Sequence, residues 1–201
     1  MNGFFNLDNP IIAGIYTLIY SVYLCLLWIV FSIPIFTLGA STSALYYTVK
    51  KVIRQEKSYI SYEFLSSFKQ NFKKATIVTI FSLIITFVFI VDIWYLKILF
   101  ESGNKIGSAY ILFEILLVFG LVFLVYVFSQ IALFNNSLKK IITNAFILMF
   151  RHVFRSIAVV AIIGFGVVVV YLIPITILIM PVMCCWVISV LLDKVYQNYL
   201  I

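Results

Sequence analysis

Seven acids, one histidine and three cysteines are the residues of this chain with reactive chemistry to offer. Two of the acids, Asp92 and Glu114, stand inside apolar runs. An ionisable group in such a run is costly, so each calls for a partner or a function. Facing each other, they would share a proton or hold a cation. Near the outer interface they would instead bond to Tyr95, Tyr110 or Trp94. The second arrangement is expected, because neither acid sits at the middle of its run, where the penalty peaks. His152 has no Cys, Asp or Glu at ligand spacing, so it is read as a surface or interface residue and not as a metal ligand. Cys25, Cys184 and Cys185 lie in apolar runs without a C-x-x-C pair, and read as small buried hydrophobes. No G-x-S-x-G, H-E-x-x-H or phosphate-cradling glycine loop occurs. No catalytic residue, metal ligand or cofactor is therefore expected, and the chain is read as a non-enzyme.

Composition explains where such a chain must live. It is 65% hydrophobic and 10% charged, with a mean hydropathy of +1.18. Ordinary soluble domains carry about 25% charged residues. A soluble fold of 201 residues has too little interior to hide this much apolar side chain. The expected class is an all-α, polytopic membrane helical bundle forming a single domain over residues 1–201.

The apolar runs are Ile11 to Leu38, Ala75 to Phe100, Ala109 to Phe134, and a tail from Ile157 to Leu192 without Lys, Arg, Asp or Glu. About 20 residues cross a bilayer as a helix. Pro174 and Pro181 divide the tail, since proline breaks or kinks a helix. Two helices, Ile157 to Ile173 and one from Pro181 to just beyond Leu192, are expected, with a single kinked helix as the competing form. That gives about five spans. Asp8 or Asn9 would cap the first helix, with Pro10 in its first turn. The first ten residues lack Lys and Arg, so no secretory signal peptide is expected.

The net charge is +7, and its placement matters more than its sum. Lys50, Lys51, Arg54, Lys57, Lys69, Lys73 and Lys74 lie between the first and second spans, against Glu56 and Glu63. Lys139, Lys140, Arg151 and Arg155 lie between the third and fourth. The positive-inside rule places both segments in the cytoplasm, with the N-terminus outside and the C-terminus inside.

These basic segments resemble each other. "YTVKKVI" and "FKQNFKKA" in the first match "NSLKKII" and "FRHVFRSI" in the second. The pattern suggests a parallel repeat, 11–100 and 109–173, with an extra span over 181–196. At helical spacing Phe64, Phe68 and Phe72 share a face, with Lys69 and Lys73 beside it. Amphipathic cytoplasmic helices are thus expected between spans 1 and 2 and between spans 3 and 4, lying on the anionic inner leaflet. Each lysine there contributes on the order of 1 kcal/mol. The contact residues for lipid or for a partner protein would be Lys50, Lys51, Phe68, Lys69, Asn71, Phe72, Lys73, Lys139, Lys140, Phe150, Arg151, Phe154 and Arg155. An apolar stripe leaves no surface for nucleic acid, which is not expected as a partner. Gln130, Asn135, Asn136 and Asn144 would cap or cross-link helix ends.

Four strings carry a family resemblance: "GFFNLDNP", "IPIFTLGASTSALYYTVKKVIRQE", "FLSSFKQNFKKATI" and "FNNSLKKIITNAFILMFRHVFRS". In order and spacing they resemble the YesL-like family of bacterial membrane proteins, domain of unknown function 624. The most specific parts are Pro34, Thr37, Gly39 and Ala40, and Phe68 to Lys73. The resemblance implies a bacterial plasma-membrane protein linked to carbohydrate uptake, since such proteins are often encoded beside ABC sugar transporters. An accessory protein to an ABC sugar permease follows as the leading expectation. A small oligomeric transporter or channel is the alternative, with homo-oligomers allowed by either.

Overall fold

A computed structural model describes residues 10–54 and 59–196. Asp8, Asn9, Glu56 and Lys57, which entered the expectations above, lie outside the described residues. Among the described residues there are seven α-helices and no strand. They are α1 (Pro10–Ser32), α2 (Leu38–Thr48), α3 (Ile60–Glu101), α4 (Tyr110–Leu133), α5 (Leu138–Arg151), α6 (Val153–Leu172) and α7 (Met180–Tyr196). A π-helical turn, Val49–Ile53, continues α2.

The first apolar run is not one continuous helix. It breaks at Ile33–Pro34, and α2 folds back along α1. Pro34 lacks an N–H and disfavours helical geometry in the residue before it. The carbonyls orphaned at the end of α1 are met by side chains. The Thr37 hydroxyl donates to the Phe31 and Pro34 carbonyls, both at 2.6 Å. Ser41 donates to the Phe31 carbonyl at 2.8 Å. The Trp28 indole N–H reaches the Thr42 hydroxyl at 3.3 Å across the hairpin.

Short side chains then let α2 become the centre of the bundle. Ala40, Ser41, Ser43, Ala44 and Thr48 are fully buried. Small residues allow helix backbones to approach closely, which is how helices associate without a solvent-driven force between them. Gly39 is the tightest point. A Cβ there would run into the Thr79 hydroxyl of α3 and the Phe128 ring of α4. Gly39→Ala is expected to cost about 1–3 kcal/mol through overpacking, read as a lower unfolding temperature in detergent micelles. Gly120→Ala, whose Cβ meets nothing within 4 Å, is the control and should leave that temperature in place.

Helix α3 corrects a second expectation. The basic amphipathic segment and the second span are one unbroken helix of 42 residues, about 63 Å long at 1.5 Å per residue. That is twice the hydrocarbon thickness of about 30 Å. Part of α3 must therefore leave the bilayer, and the end carrying Lys69, Lys73 and Lys74 is the polar one. Phe64 of the aromatic stripe turns away from any headgroup layer, since its side chain is fully buried, while Phe72 stays exposed. Ile60, Phe64, Ser67, Asn71, Ala75 and Thr79 form the buried face of α3, and the Phe31 ring of α1 packs edge-on against Phe64 and Phe68 at 5.6 and 4.9 Å.

The tail is the expected pair of helices. Ile173 and Ile179 leave helical geometry on either side of a short turn, Pro174–Leu178. Helices α6 and α7 pack together, with the Cys184 thiol 3.7 Å from the Ile162 carbonyl and a Cβ on Gly166 only 2.6 Å from Cys184 Sγ. Three helical stretches among the described residues are long and apolar enough to cross a membrane: Ile60–Glu101, Lys105–Leu133 and Val153–Leu172. Tyr16–Ser32 is a shorter apolar helix, and α7 has 17 residues. Helix α1 as a whole runs 23 residues, Pro10–Ser32, and these three helices together with α1 and α7 agree with the expected helical membrane bundle.

Candidate functional site

The charged residues gather where α2 ends, α3 begins and α7 ends. The π turn there places consecutive lysines on different neighbours. Lys50 Nζ lies 2.6 Å from Asp193 Oδ1 of α7. Lys51 Nζ lies 2.8 Å from Glu63 Oε1 of α3 and 3.2 Å from the Tyr47 hydroxyl. Arg54 bonds the second oxygen of Asp193 and reaches the Ser189 hydroxyl at 3.3 Å. One carboxylate therefore holds two cations. Asp193 and Glu63 are mostly buried. The bond to Glu63, and then that to Tyr47, raise the pKa of the Lys51 ammonium above its ordinary value. A π turn inside a helix often marks a functional position, because it re-aims side chains.

The expected contact residues divide into two groups. Lys50, Lys51, Phe68 and Asn71 are turned inward. Asn71 is buried and donates to the Ser67 hydroxyl at 3.3 Å. Lys69, Phe72, Lys73, Lys139, Lys140, Phe150, Arg151 and Phe154 stay exposed, while Arg155 is half-buried. Phe154 is 90% exposed. Lys74 is engaged as a clamp: its ammonium donates to Asn135 Oδ1 at 3.1 Å and to the Asn136 carbonyl at 3.0 Å. That clamp ties α3 to the start of α5.

Helix α5 lies between α4 and α6 and is amphipathic. Ile141, Ala145, Leu148 and Met149 are its buried residues. It doubles back along α4, so that Phe150 stacks on Phe119 at 6.5 Å. The two "aromatic-basic" motifs then differ. The first lies within the continuous α3, while the second is split at His152, whose φ of −120° and ψ of 53° end α5 and precede α6. The nearby Ser156 hydroxyl donates to the Met149 carbonyl at 2.9 Å. Burial, and then the positive charges of Arg155 and Arg151, push the His152 pKa down.

At the opposite end of the α3–α4 pair, Glu114 bonds Lys97 at 2.8 Å, and Lys97 lies over the Tyr110 ring at 5.2 Å. Glu114 thus answers to a lysine, not to Asp92. Among the described residues, the Asp92 side chain forms no ion pair or hydrogen bond. Those residues also contain no group of three or more His, Cys, Asp or Glu that could hold a metal.

Sequence reasoning missed Asp193, Glu63 and Arg54 as site residues. One signal was available for Asp193. It is the only acid after Glu114, and it stands at the end of the uncharged tail, on the side where cations are in excess.

The helices and the charged end define a helical membrane protein whose ion pairs, Lys97–Glu114 apart, cluster at one end of the bundle. The family described as "Protein of unknown function, DUF624" matches residues 21–93, and the YesL-like resemblance holds over that stretch. It includes the Pro34–Ala40 hairpin, Lys50, Arg54, Glu63 and the Phe68–Lys73 motif, whereas Asp193 lies beyond it. No curated protein and no solved structure matches the chain.

Proposed function

We propose that this is a non-enzymatic accessory protein of the bacterial plasma membrane. It docks on the permease of an ABC-type carbohydrate importer through the exposed basic and aromatic residues of α3, α5 and the first turn of α6. The supporting observation is the division of the basic residues. Lys50, Lys51, Arg54 and Lys74 are committed to internal bonds, while Lys69, Lys73, Lys139 and Lys140 stay exposed beside Phe72 and Phe154. The link to sugar uptake rests on the family resemblance alone. In this reading the exposed lysines lie in the cytoplasm, with the N-terminus outside and the C-terminus inside.

A transporter or channel is the weaker reading. The groove of about 620 Å³ between α3, α4 and α5 has only Ser82 and Thr86 as polar lining residues. A sugar or ion there would lose hydration without replacement bonds.

Co-purification in mild detergent with the permease encoded nearest the gene tests the proposal. The permease is expected to be retained, and a Lys69→Gln, Lys140→Gln, Phe154→Ala triple variant should release it. These side chains are exposed, so the variant keeps the fold. Failure of the wild-type protein to retain the permease, or equal retention by the variant, would sink the proposal.

A further inference from the structure

We propose that the groove between α3, α4 and α5 is a site for an anionic phospholipid, with one acyl chain in the groove and the phosphate between Lys73 and Lys139. Ile77, Ile85 and Phe89 of α3 form one wall, Gly120 of α4 the back, and Leu138 and Ile142 of α5 the opening at one end. From Ile77 to Phe89 the groove follows α3 for about 18 Å at 1.5 Å per residue. One leaflet of hydrocarbon is half of about 30 Å, so the length suits a single chain from one leaflet. Gly120 provides the depth, since a Cβ there would touch nothing within 4 Å.

Charge decides which end takes the headgroup. Lys73 lies one helical turn before Ile77, and Lys139 one turn before Ile142; residues at these spacings share a helix face. Both lysines are exposed. The Lys74 clamp on Asn135 and Asn136 fixes their two helices together at this mouth. Helix α5 also begins here, and its N-cap Ser137 makes no side-chain capping bond. Its first N–H groups add positive partial charge. At the far end, one turn past Phe89, stands Asp92, which repels an anionic headgroup.

The test is native mass spectrometry of the full chain in micelles, titrated separately with phosphatidylglycerol and phosphatidylcholine. The wild-type protein is expected to retain phosphatidylglycerol preferentially. A Lys73→Gln, Lys139→Gln variant should lose that preference by on the order of tenfold. Gly120→Leu, which fills the groove, should bind less of both lipids at an unchanged number of chains. Equal retention of both lipids by all three proteins would mean annular lipid only, and would overturn the site. A lysine effect without a Gly120→Leu effect would mean surface charge only, and would overturn it as well. A Gly120→Leu variant that changes the number of associated chains, and not the lipid bound, would assign the groove to a second copy of the chain. Should Gly120→Leu fold poorly, Ile85→Trp, at an exposed position on the groove wall, fills the groove in its place and is read the same way.

Discussion

Replacing Asp193 with Asn is expected to destabilise the protein by on the order of 3 kcal/mol, the low end for breaking a buried ion pair. The carboxylate is 16% exposed, and its partners Lys50 and Arg54 are 25% and 24% exposed. Removing the charge leaves two cations facing each other across a space that water only partly reaches. Their mutual repulsion, which the carboxylate had offset, is then unopposed. The amide can still accept a hydrogen bond, so the loss reports charge more than geometry. Unfolding in micelles, followed by circular dichroism, measures it. A second arm isolates the pair: in a Lys50→Met, Arg54→Met background the same change should cost little, because the cations it stranded are gone. If Asp193→Asn unfolds at the wild-type temperature, the network is ornamental. Lys51→Gln should matter less, since Lys51 is more exposed than Lys50 and water screens its pair.

Phe64→Ala is expected to cost about 3–5 kcal/mol, the usual loss for a fully buried aromatic. Its side chain is 0% exposed and packs with Leu24, Leu45 and Val49 in one cluster. The Phe31 and Phe68 rings lie 5.6 and 6.4 Å away, near enough for edge and stacking contacts. Phe72→Ala, two turns further along the stripe and 37% exposed, should cost far less. Lys69→Gln and Lys73→Gln should fall within about 0.5 kcal/mol, as exposed substitutions do. The comparison separates a core from a membrane anchor. An aromatic stripe lying on headgroups would show equal losses at Phe64 and Phe72, and would lose liposome affinity when the lysines are neutralised. Equal unfolding temperatures for the two alanine variants would overturn the packing described for α3.

Much of the architecture was legible in the chain. Hydropathy depends on local composition, so the apolar runs, the membrane class and the all-helical fold could be read directly. Pro174 and Pro181 announced the break between α6 and α7, because a missing N–H acts at its own position. The Pro34, Thr37, Gly39, Ala40 motif was visible as a pattern but not as a device. Its meaning lies in the Phe31 carbonyl, the Thr79 hydroxyl and the Phe128 ring, which come from other places in the chain.

The stripe at Phe64, Phe68 and Phe72 shows the boundary most clearly. Its spacing fixed a helix and a face, by the period of 3.6 residues. What that face meets was not encoded in the spacing, since a headgroup layer and another helix both accept aromatic rings. The return of α1 and α2 along α3 decided it. The same holds for Lys50 and Asp193, which are separated by 143 residues. Sequence alone supplied an excess of cations at one end of the bundle and a late, isolated acid. Only the packing of α7 against the π turn brought them within bonding distance, because ion pairing depends on separation in space and side-chain direction, neither of which a one-dimensional pattern carries.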